Sequence, residues 1–389
     1  MGKTIEEDRR CAAALRARGE RPAAIAAALG RARSWVYKWL NRASADDATW
    51  NVSHSRAPHR RPRETTDAIT EIISATRHRL RADGVFHGAQ AIHWELQELS
   101  LPGIPSVRTI GRVLQRLDLV ERRHGRYTAR GTRYPGLIAS TPGAVHQSDF
   151  VGPCYGQRPL RFYSLHSVDL ATGRCAVEPV TERAAQATID AFWASWWRLG
   201  LPQAQQVDNE AVFYGSVRYP RGMGALIRLC LSVDVEPWFI PPGEPWRNGV
   251  VEKFNDHWRA KGPLREALGD AAVLRAASRM FEERHNTRYR YTKLQGRTPA
   301  RALAAWQGRL RFPPTADAPR HPLPKPITGR YHVVRFIRSD RVLDIFGERV
   351  PVPDQAMYEY VRGTVDVAHQ RLRLYLDGEL IDEHPFRLR

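Results

Sequence analysis

The sequence predicts a multidomain protein with N-terminal all-α helix-turn-helix units, a central α/β core and a C-terminal small β-barrel. Three observations predict this architecture. Short helical patterns separated by turns fill the first third of the chain, strand and helix patterns alternate in the middle, and short alternating strands follow a proline-rich stretch near the end. At 389 residues the chain has room for about two to four domains.

The charge balance narrows the class of partner. The chain has 60 Lys and Arg residues against 41 Asp and Glu residues, a formal net charge of +19. Such an excess favours a polyanionic partner, and nucleic acid fits best. The four cysteines form no Cys-x-x-Cys pair, which argues against a disulfide scaffold or a cysteine zinc site. No apolar run reaches the roughly 18 residues of a membrane span, and the start lacks a signal-peptide core, so we expect a cytoplasmic protein without membrane contact.

Residues 1–45 are predicted to form a helix-turn-helix unit that binds DNA. Helical patterns cover Ile5–Ala17 and Pro22–Leu29, and Ser34 is placed to cap a third helix, Trp35–Asn41. This third helix would present polar side chains to a DNA major groove: Arg33, Ser34, Tyr37 and Lys38. The alternative is a plain three-helix packing unit without DNA contact.

A second helical unit is expected at residues 65–120, between a basic linker at 46–64 and a basic connector at 121–140. Ser106 is placed to cap its last helix, which again gives helix-turn-helix proportions. The exposed face of that helix would offer a further set of DNA contacts: Arg108, Thr109 and Arg112. Two such units in tandem would read a longer DNA site than one unit can.

Residues 141–311 have the pattern of an α/β layer, in which strand patterns alternate with helical ones. Three acidic residues stand at the ends of these elements. Asp149 ends the first strand, Asp208 ends a later strand, and Glu252 lies one turn into a helix that Asn248 is placed to cap. Because open α/β sheets place ligand groups at strand ends and helix starts, we expect the three acids to converge.

Three converging carboxylates would repel one another unless cations lay between them. Oxygen ligands of this kind suit Mg²⁺, with Mn²⁺ as the other possibility. Two such ions about 4 Å apart can activate an attacking hydroxyl and stabilise a leaving oxygen in phosphoryl transfer. We therefore predict Asp149, Asp208 and Glu252 as catalytic ligands of two Mg²⁺ ions. Lys253 and Arg259 on the same helix would hold DNA phosphates, or form a solvated charged face.

The segment around the third acid also carries a family signature. Residues 241–255 read PPGEPWRNGVVEKFN, which resembles the P-x-x-P-x-x-N-G-x-x-E-x-F-N signature of bacterial insertion-sequence transposases with a retroviral-integrase-like core. The segments Ser148–Gly152 and Asp208–Phe213 are similar to the first-acid and second-acid segments of that family. Residues 285–300 resemble the stretch that usually closes its core.

This resemblance implies an RNase H-like core, a DDE-type triad at Asp149, Asp208 and Glu252, two Mg²⁺ ions, and cutting and joining of DNA. The sequence departs from the family pattern at two points. Glu210 stands where the family usually has glycine, and the 44-residue interval between the last two acids is longer than usual. The extra length fits an insertion near 215–224, which we expect to be a surface loop that costs little stability.

As a whole, the sequence predicts a nucleoid-associated DNA transposase that needs no nucleotide cofactor. It would bind the terminal inverted repeats of its element, cleave a strand to free a 3′-OH, and transfer that hydroxyl into target double-stranded DNA as a homo-oligomer. Residues 312–327 would link the core to a small β-barrel at 328–389 that binds DNA or another subunit. Two alternatives stay open: a DNA-binding regulator or target selector with an inactive core, and a nuclease that never rejoins ends.

Overall fold

The computed structural model describes residues 4–43, 46–53, 65–100, 103–120, 133–156, 160–263 and 270–389. It divides into two compact units, Met1–Thr66 and Asp67–Arg389. Most of the predicted basic linker and basic connector lies outside the described residues. Within the described ranges, no helix combines the length and the apolar character needed to cross a bilayer.

The first unit contains the three predicted helices: α1 (Ile5–Ala17), α2 (Pro22–Leu29) and α3 (Arg33–Leu40). They pack around a small apolar core of Ala12, Ile25, Ala26 and Val36. The predicted cap at Ser34 is wrong, because α3 begins two residues earlier than predicted and Ala32 occupies its N-cap position. Ser34 therefore lies in the first turn of α3, with its side chain exposed.

The second unit begins with another three helices: α4 (Asp67–Ala82), α5 (Ala89–Glu98) and α6 (Val107–Arg116). The predicted cap of α6 is confirmed, since the Ser106 side chain accepts a hydrogen bond from the Thr109 backbone N–H at 3.3 Å. Their apolar core also contains residues from later in the chain, so this helical bundle is packed onto the rest of its unit.

The α/β core follows the predicted order closely. The antiparallel strands are β1 (Val145–Tyr155), β2 (Arg161–Asp169) and β3 (Cys175–Val180), and the strands parallel to β1 are β4 (Ala204–Val207) and β5 (Glu236–Phe239). Six helices accompany them: α7 (Ala185–Leu199), α8 (Ala211–Tyr214), α9 (Ala225–Ser232), α10 (Gly249–Lys261), α11 (Ala271–Arg288) and α12 (Pro299–Ala304).

The two faces of this sheet are covered by different helices. On one face α7 and α9 bury Phe192 and Trp196 completely. On the other face α10 and α11 pack Trp258 and Phe281 against apolar side chains of β1, β2 and β3. Because neighbouring residues of a strand point to opposite faces, Gln147 and Asp149 of β1 project towards α10.

Six strands follow the core: β6 (Arg330–Phe336), β7 (Val342–Ile345), β8 (Glu348–Pro351), β9 (Tyr360–Asp366), β10 (Arg371–Leu376) and β11 (Glu379–Pro385). Four of them extend the core sheet, whose full order is β11-β10-β9-β6-β5-β4-β1-β2-β3. Strands β7 and β8 form a separate antiparallel hairpin.

The predicted small β-barrel at 328–389 is not confirmed, because no closed barrel forms in the described part of the chain. Instead, β6 pairs in parallel with β5, with Trp238 opposite His332 and Phe239 opposite Val333. An edge strand such as β5 offers a row of unpaired N–H and C=O groups, and β6 satisfies them. The alternating pattern reveals that these residues form strands, but not which strand they join.

The extra residues between the last two acids are also not a free surface loop. The Tyr214 ring stacks on Phe346 of the C-terminal hairpin with ring centroids 4.3 Å apart. The Arg221 side chain donates to the Glu348 carboxylate at 2.6 Å, and the Arg221 backbone carbonyl oxygen accepts from the backbone N–H of Arg389. The segment near 215–224, expected to be a surface loop that costs little stability, therefore also contacts the C-terminal strands.

Candidate active site

Asp149 lies in β1 on the face covered by α10. Its Oδ2 atom accepts a hydrogen bond of 2.7 Å from the Asn255 side-chain amide. Burial raises the pKa of Asp149 to about 7, and the negative charges of Asp208, Glu210 and Glu252 add to this effect, while the Asn255 bond opposes it. The pKa of Asp149 is therefore raised first by burial and then by the negative charges nearby.

Asp208 follows the last residue of β4, in the loop that leaves the sheet. Its Oδ1 atom accepts a hydrogen bond from the Glu210 backbone N–H at 3.0 Å. Burial raises the pKa of Asp208. The next residue, Asn209, ties this loop to the end of β5, because its amide donates to the Ile240 carbonyl oxygen at 2.5 Å.

Glu252 lies in the first turn of α10, and a side chain of β1 holds the start of that helix. The Gln147 Oε1 atom accepts hydrogen bonds from the backbone N–H groups of Val250 and Val251 at 3.1 and 3.2 Å. Asn248 occupies the predicted N-cap position but makes no capping bond, and its amide donates instead to the Ser148 carbonyl oxygen. The orphan donors of the helix are therefore satisfied from the sheet.

A second glutamine repeats this arrangement on β4. The Gln206 amide donates to the Arg247 carbonyl oxygen at 2.9 Å and to Asn248 Oδ1 at 3.3 Å. Each glutamine precedes an acid by two residues, since the sequence reads Gln-x-Asp at 147–149 and again at 206–208. The two-residue period of a strand puts Gln147 and Asp149 on one face, so the residue that anchors α10 and the first acid share that face. Sequence reasoning missed this repeated signal.

These anchors bring the predicted acids into one region. Asp149 and Glu252 line the same cleft, together with Lys253, Asn255 and Arg259. Burial raises the pKa of Glu252, and the charges of Asp256 and Asp208 raise it further. Asp208 therefore acts electrostatically on both of the other acids.

The acids do not form a closed metal-binding group. Over the ranges that the structure describes, no three His, Cys, Asp or Glu side chains stand together so as to hold a metal ion. Three like charges without a cation repel one another. The donor set consists of carboxylate oxygens, which suits hard divalent ions, and the raised pKa of Asp149 indicates that a positive charge would be favourable there.

Glu210, the acid in the usual glycine position, is paired. Arg183 Nη1 donates to both Glu210 carboxylate oxygens at 2.9 Å, and about 39% of the Arg183 side chain is exposed. The guanidinium also lies 4.9 Å from the centre of the Tyr163 ring. Arg183 thus offsets the added charge beside Asp208, a role that its position in the sequence does not signal.

Asn255 is oriented by a buried histidine. His166 on β2 is fully buried and lies 2.7 Å from Asn255 Oδ1 through its Nδ1 atom. Burial lowers the pKa of His166 to about 3, so the ring is neutral. Because an amide oxygen only accepts hydrogen bonds, His166 Nδ1–H must donate, which turns the Asn255 amide nitrogen towards Asp149.

The predicted DNA contacts lie on accessible surfaces, in three places. In the first unit, Arg33, Ser34, Tyr37 and Lys38 are all exposed. On α6, Arg108 and Arg112 are exposed, whereas Thr109 is half-buried. At the acid cleft, Lys253 and Arg259 are mostly exposed and lie 3.2 and 4.0 Å from Asp256.

Comparison with known families matches the first unit. Residues 4–49 match a family described as a homeodomain-like domain. No curated protein sequence matches the chain.

Comparison with solved structures finds integrases to which the chain is similar. The HTLV-2 integrase catalytic core in complex with magnesium is 20% identical, with 43% of this chain and 99% of that chain covered and a TM-score of 0.34. The simian T-cell lymphotropic virus intasome in complex with the PP2A regulatory subunit B56 gamma is 16% identical over 82% of this chain and 97% of that chain, with a TM-score of 0.37. The BIV integrase core is 17% identical over 42% of this chain and 94% of that chain, with a TM-score of 0.32.

Proposed function

We propose that the protein is a DNA transposase whose core cleaves element ends and joins the freed 3′-OH to target DNA. The observation that carries the proposal is that Asp149 and Glu252, from separate elements, line one cleft. Burial raises the pKa of Asp149 to about 7, and the charges of Asp208, Glu210 and Glu252 add to this effect. Perturbed carboxyl groups that gather in one cleft are typical of functional sites rather than of structural ion pairs. The charge of +19 agrees with DNA as the substrate.

Two Mg²⁺ ions, or Mn²⁺ in their place, are the cofactors that this donor set fits. Asp149, Asp208 and Glu252 would hold them through carboxylate oxygens. When bound, such ions activate the attacking water or hydroxyl and stabilise the leaving oxygen of the phosphodiester. The net negative charge of the three carboxylates is the property of this chain that favours their binding.

The remaining residues of the site would position the acids and the DNA. Gln147 and Gln206 anchor the start of α10, and Asn255 donates to the carboxylate of Asp149. Lys253 and Arg259 at the rim of the cleft would contact the phosphate backbone. In the first unit, the exposed face of α3 would enter the major groove of the terminal repeats, as in other helix-turn-helix proteins.

A cleavage assay tests the proposal. The substrate is double-stranded DNA that carries the terminal repeats flanking the gene, incubated with Mg²⁺. We expect the wild type to nick and join this DNA. Asp149→Asn, Asp208→Asn and Glu252→Gln should each abolish cleavage and leave DNA binding intact. Asp190→Asn is the matched control, since this carboxylate on α7 is bonded to Gln186. Cleavage at the wild-type rate in any of the three variants would contradict the assignment.

A second candidate function is a DNA-binding regulator or target selector with an inactive core. It is favoured by one observation, namely that the acids do not form a ready metal-binding group in the described parts of the chain. The same assay separates the two. Tight binding of terminal-repeat DNA, with no strand cleavage at any Mg²⁺ or Mn²⁺ concentration, would favour the regulator.

A further inference from the structure

The C-terminal strands contact two loops of the site, the loop that carries Asp208 and the loop that leads into α10. The first contact involves Arg335 on β6, whose side chain is only 6% exposed. Its Nη2 atom donates to Asn209 Oδ1 at 3.0 Å, in the loop that carries Asp208. Its other N–H groups donate to the backbone carbonyl oxygens of Val334, Asp344 and, at a longer distance, Ile240. One guanidinium thus joins β6, the hairpin strand β7 and the ends of β4 and β5.

Asn209 can satisfy both of its partners in one orientation only. Arg335 can only donate and the Ile240 carbonyl oxygen can only accept, so the Asn209 amide is held with its oxygen towards Arg335. These two hydrogen bonds hold Asn209 in place, and Asn209 directly follows Asp208 in the chain. Arginine suits the position because its rigid fork reaches several acceptors at once, which the single ammonium of lysine cannot do.

The second contact involves Tyr360 on β9. Its hydroxyl donates to Glu244 Oε1 at 2.7 Å, and Glu244 Oε2 accepts from Arg247 Nε at 3.0 Å. The Arg247 carbonyl oxygen is the acceptor for the anchoring glutamine of β4. Tyr360 therefore holds the loop that leads into α10 from the side opposite the acid-bearing strands.

We propose that Arg335 and Tyr360 are positioning residues for Asp208 and Glu252, and that the C-terminal strands complete the catalytic unit. This proposal rests on the proposed function, because it assigns these residues a role in that reaction. The strands are accordingly an integral support of the site and not a separable DNA-binding module. Deleting them would remove a hydrogen-bonded partner from the loop that carries Asp208 and from the loop that leads into the Glu252 helix.

The first test compares Arg335→Lys and Tyr360→Phe with two matched controls. The controls are Arg349→Lys, whose arginine pairs with Asp340 on the exposed hairpin, and Tyr375→Phe on β10. We expect the Mg²⁺ concentration for half-maximal cleavage to rise about tenfold in Arg335→Lys and about threefold in Tyr360→Phe, with partial rescue at saturating Mg²⁺. Both controls should match the wild type. Unchanged Mg²⁺ dependence in both test variants would overturn the proposal.

Hydrogen exchange provides a readout that needs neither metal nor activity. Faster exchange is expected around Asp208–Ala211 in Arg335→Lys and around Glu244–Asn248 in Tyr360→Phe, with melting temperatures close to the wild-type value. Protection equal to the wild type in both segments would overturn the proposal. If the wild type itself cleaves no DNA, the proposed function fails while this measurement still tests the positioning.

A double-mutant cycle tests whether Arg335 acts through Asn209. If it does, Arg335→Lys combined with Asn209→Ala should cleave no more slowly than the worse single variant. Full additivity of the two losses would contradict this route. Should Arg335→Lys fail to fold, the cycle of Tyr360→Phe with Glu244→Gln carries the same test for the second contact.

Discussion

Asp149 and Asp208 of the acid cleft differ from Asp366 on β9 in the groups that surround their carboxylates. Among the core strands, burial raises the pKa values of Asp149 in β1 and Asp208 after β4, and nearby acids raise that of Asp149 further. Among the C-terminal strands of the same sheet, Asp366 on β9 is also buried, but hydrogen bonds from His369 and Arg373 outweigh burial and lower its pKa. The contrast is between carboxylates in the acid cleft, which are suited to bind a cation, and Asp366, which is already paired with Arg373.

The largest expected effect comes from replacing each of the two aspartates, Asp149 and Asp366, by asparagine. Asp149→Asn should lower the cleavage rate at least about 1,000-fold, since a ligand of the proposed metal ions would be lost. Asp366→Asn should leave that rate within about threefold and instead lower the free energy of unfolding by about 1–2 kcal/mol, because a buried ion pair is weakened. Cleavage assays and urea unfolding check both. The contrast fails if Asp366→Asn abolishes cleavage at full stability.

The pH dependence of stability should differ in sign between the two aspartates. Asp149 has a raised pKa of about 7 when folded, so its favourable contribution is present at low pH and is lost as pH rises from about 4 to 7. Asp366 has a lowered pKa, so its contribution is present at neutral pH and is lost as pH falls below about 4. We therefore compare the free energy of unfolding of Asp149→Asn with that of the wild type, without divalent ions. The difference should shift in favour of the variant by about 1–3 kcal/mol between pH 5 and pH 8.

Urea unfolding of both proteins at the two pH values measures this difference. Asp190→Asn, an exposed carboxylate on α7, is the control and should show no such gain. A gain for Asp149→Asn that is equal at pH 5 and pH 8 would show that the carboxyl group is not strained by its neighbours.

A smaller effect is expected from the anchor of α10. Gln147→Leu removes the side chain that accepts from Val250 and Val251, so two helix N–H groups lose their partner. Loss of such a cap costs about 1 kcal/mol. Cleavage should fall about tenfold, since Glu252 lies in the turn that this cap holds. The conservative Gln147→Glu keeps an acceptor and should retain the melting temperature better than Gln147→Leu. Equal melting temperatures for both would contradict the capping role.

The smallest effect is expected at Arg183, which is partly exposed. Arg183→Ala leaves the Glu210 charge unpaired beside Asp208 and should lower stability without divalent ions by about 0.5–1 kcal/mol. Adding Glu210→Gly should restore most of this loss, because the unpaired charge is then gone. Thermal unfolding in EDTA measures both variants. A double variant that is less stable than Arg183→Ala alone would break the comparison.

The sequence predicts local elements well and their partners poorly. The helices Ile5–Ala17 and Pro22–Leu29 have the predicted bounds, because side-chain periodicity is a local property. Asp208 directly after β4 and Glu252 in the first turn of α10 are placed as predicted, but Asp149 is not at a strand end, because β1 continues to Tyr155. Whether they act as catalytic ligands stays a prediction.

What sequence reasoning missed depends on long-range pairing. Arg335 contacts Asn209, which lies 126 residues earlier in the sequence. Arg183 contacts Glu210, with α7 and β4 between them in the sequence. Nothing near these arginines in the sequence marks them, because the pairing of β6 with β5 decides one contact and the end of β4 the other. The barrel prediction was not confirmed for the same reason. Only the repeated Gln-x-Asp spacing was available in the sequence and overlooked.

We propose that Asp149, Asp208 and Glu252 together hold divalent cations. Anomalous diffraction from crystals of the full chain soaked in Mn²⁺ tests it most directly, because the ions themselves are located. We predict anomalous peaks within about 2.5 Å of carboxylate oxygens of these three residues, and their loss in Asp149→Asn crystals. Saturating Mn²⁺ with no peak between the three acids, or with peaks only at other carboxylates, would contradict the account.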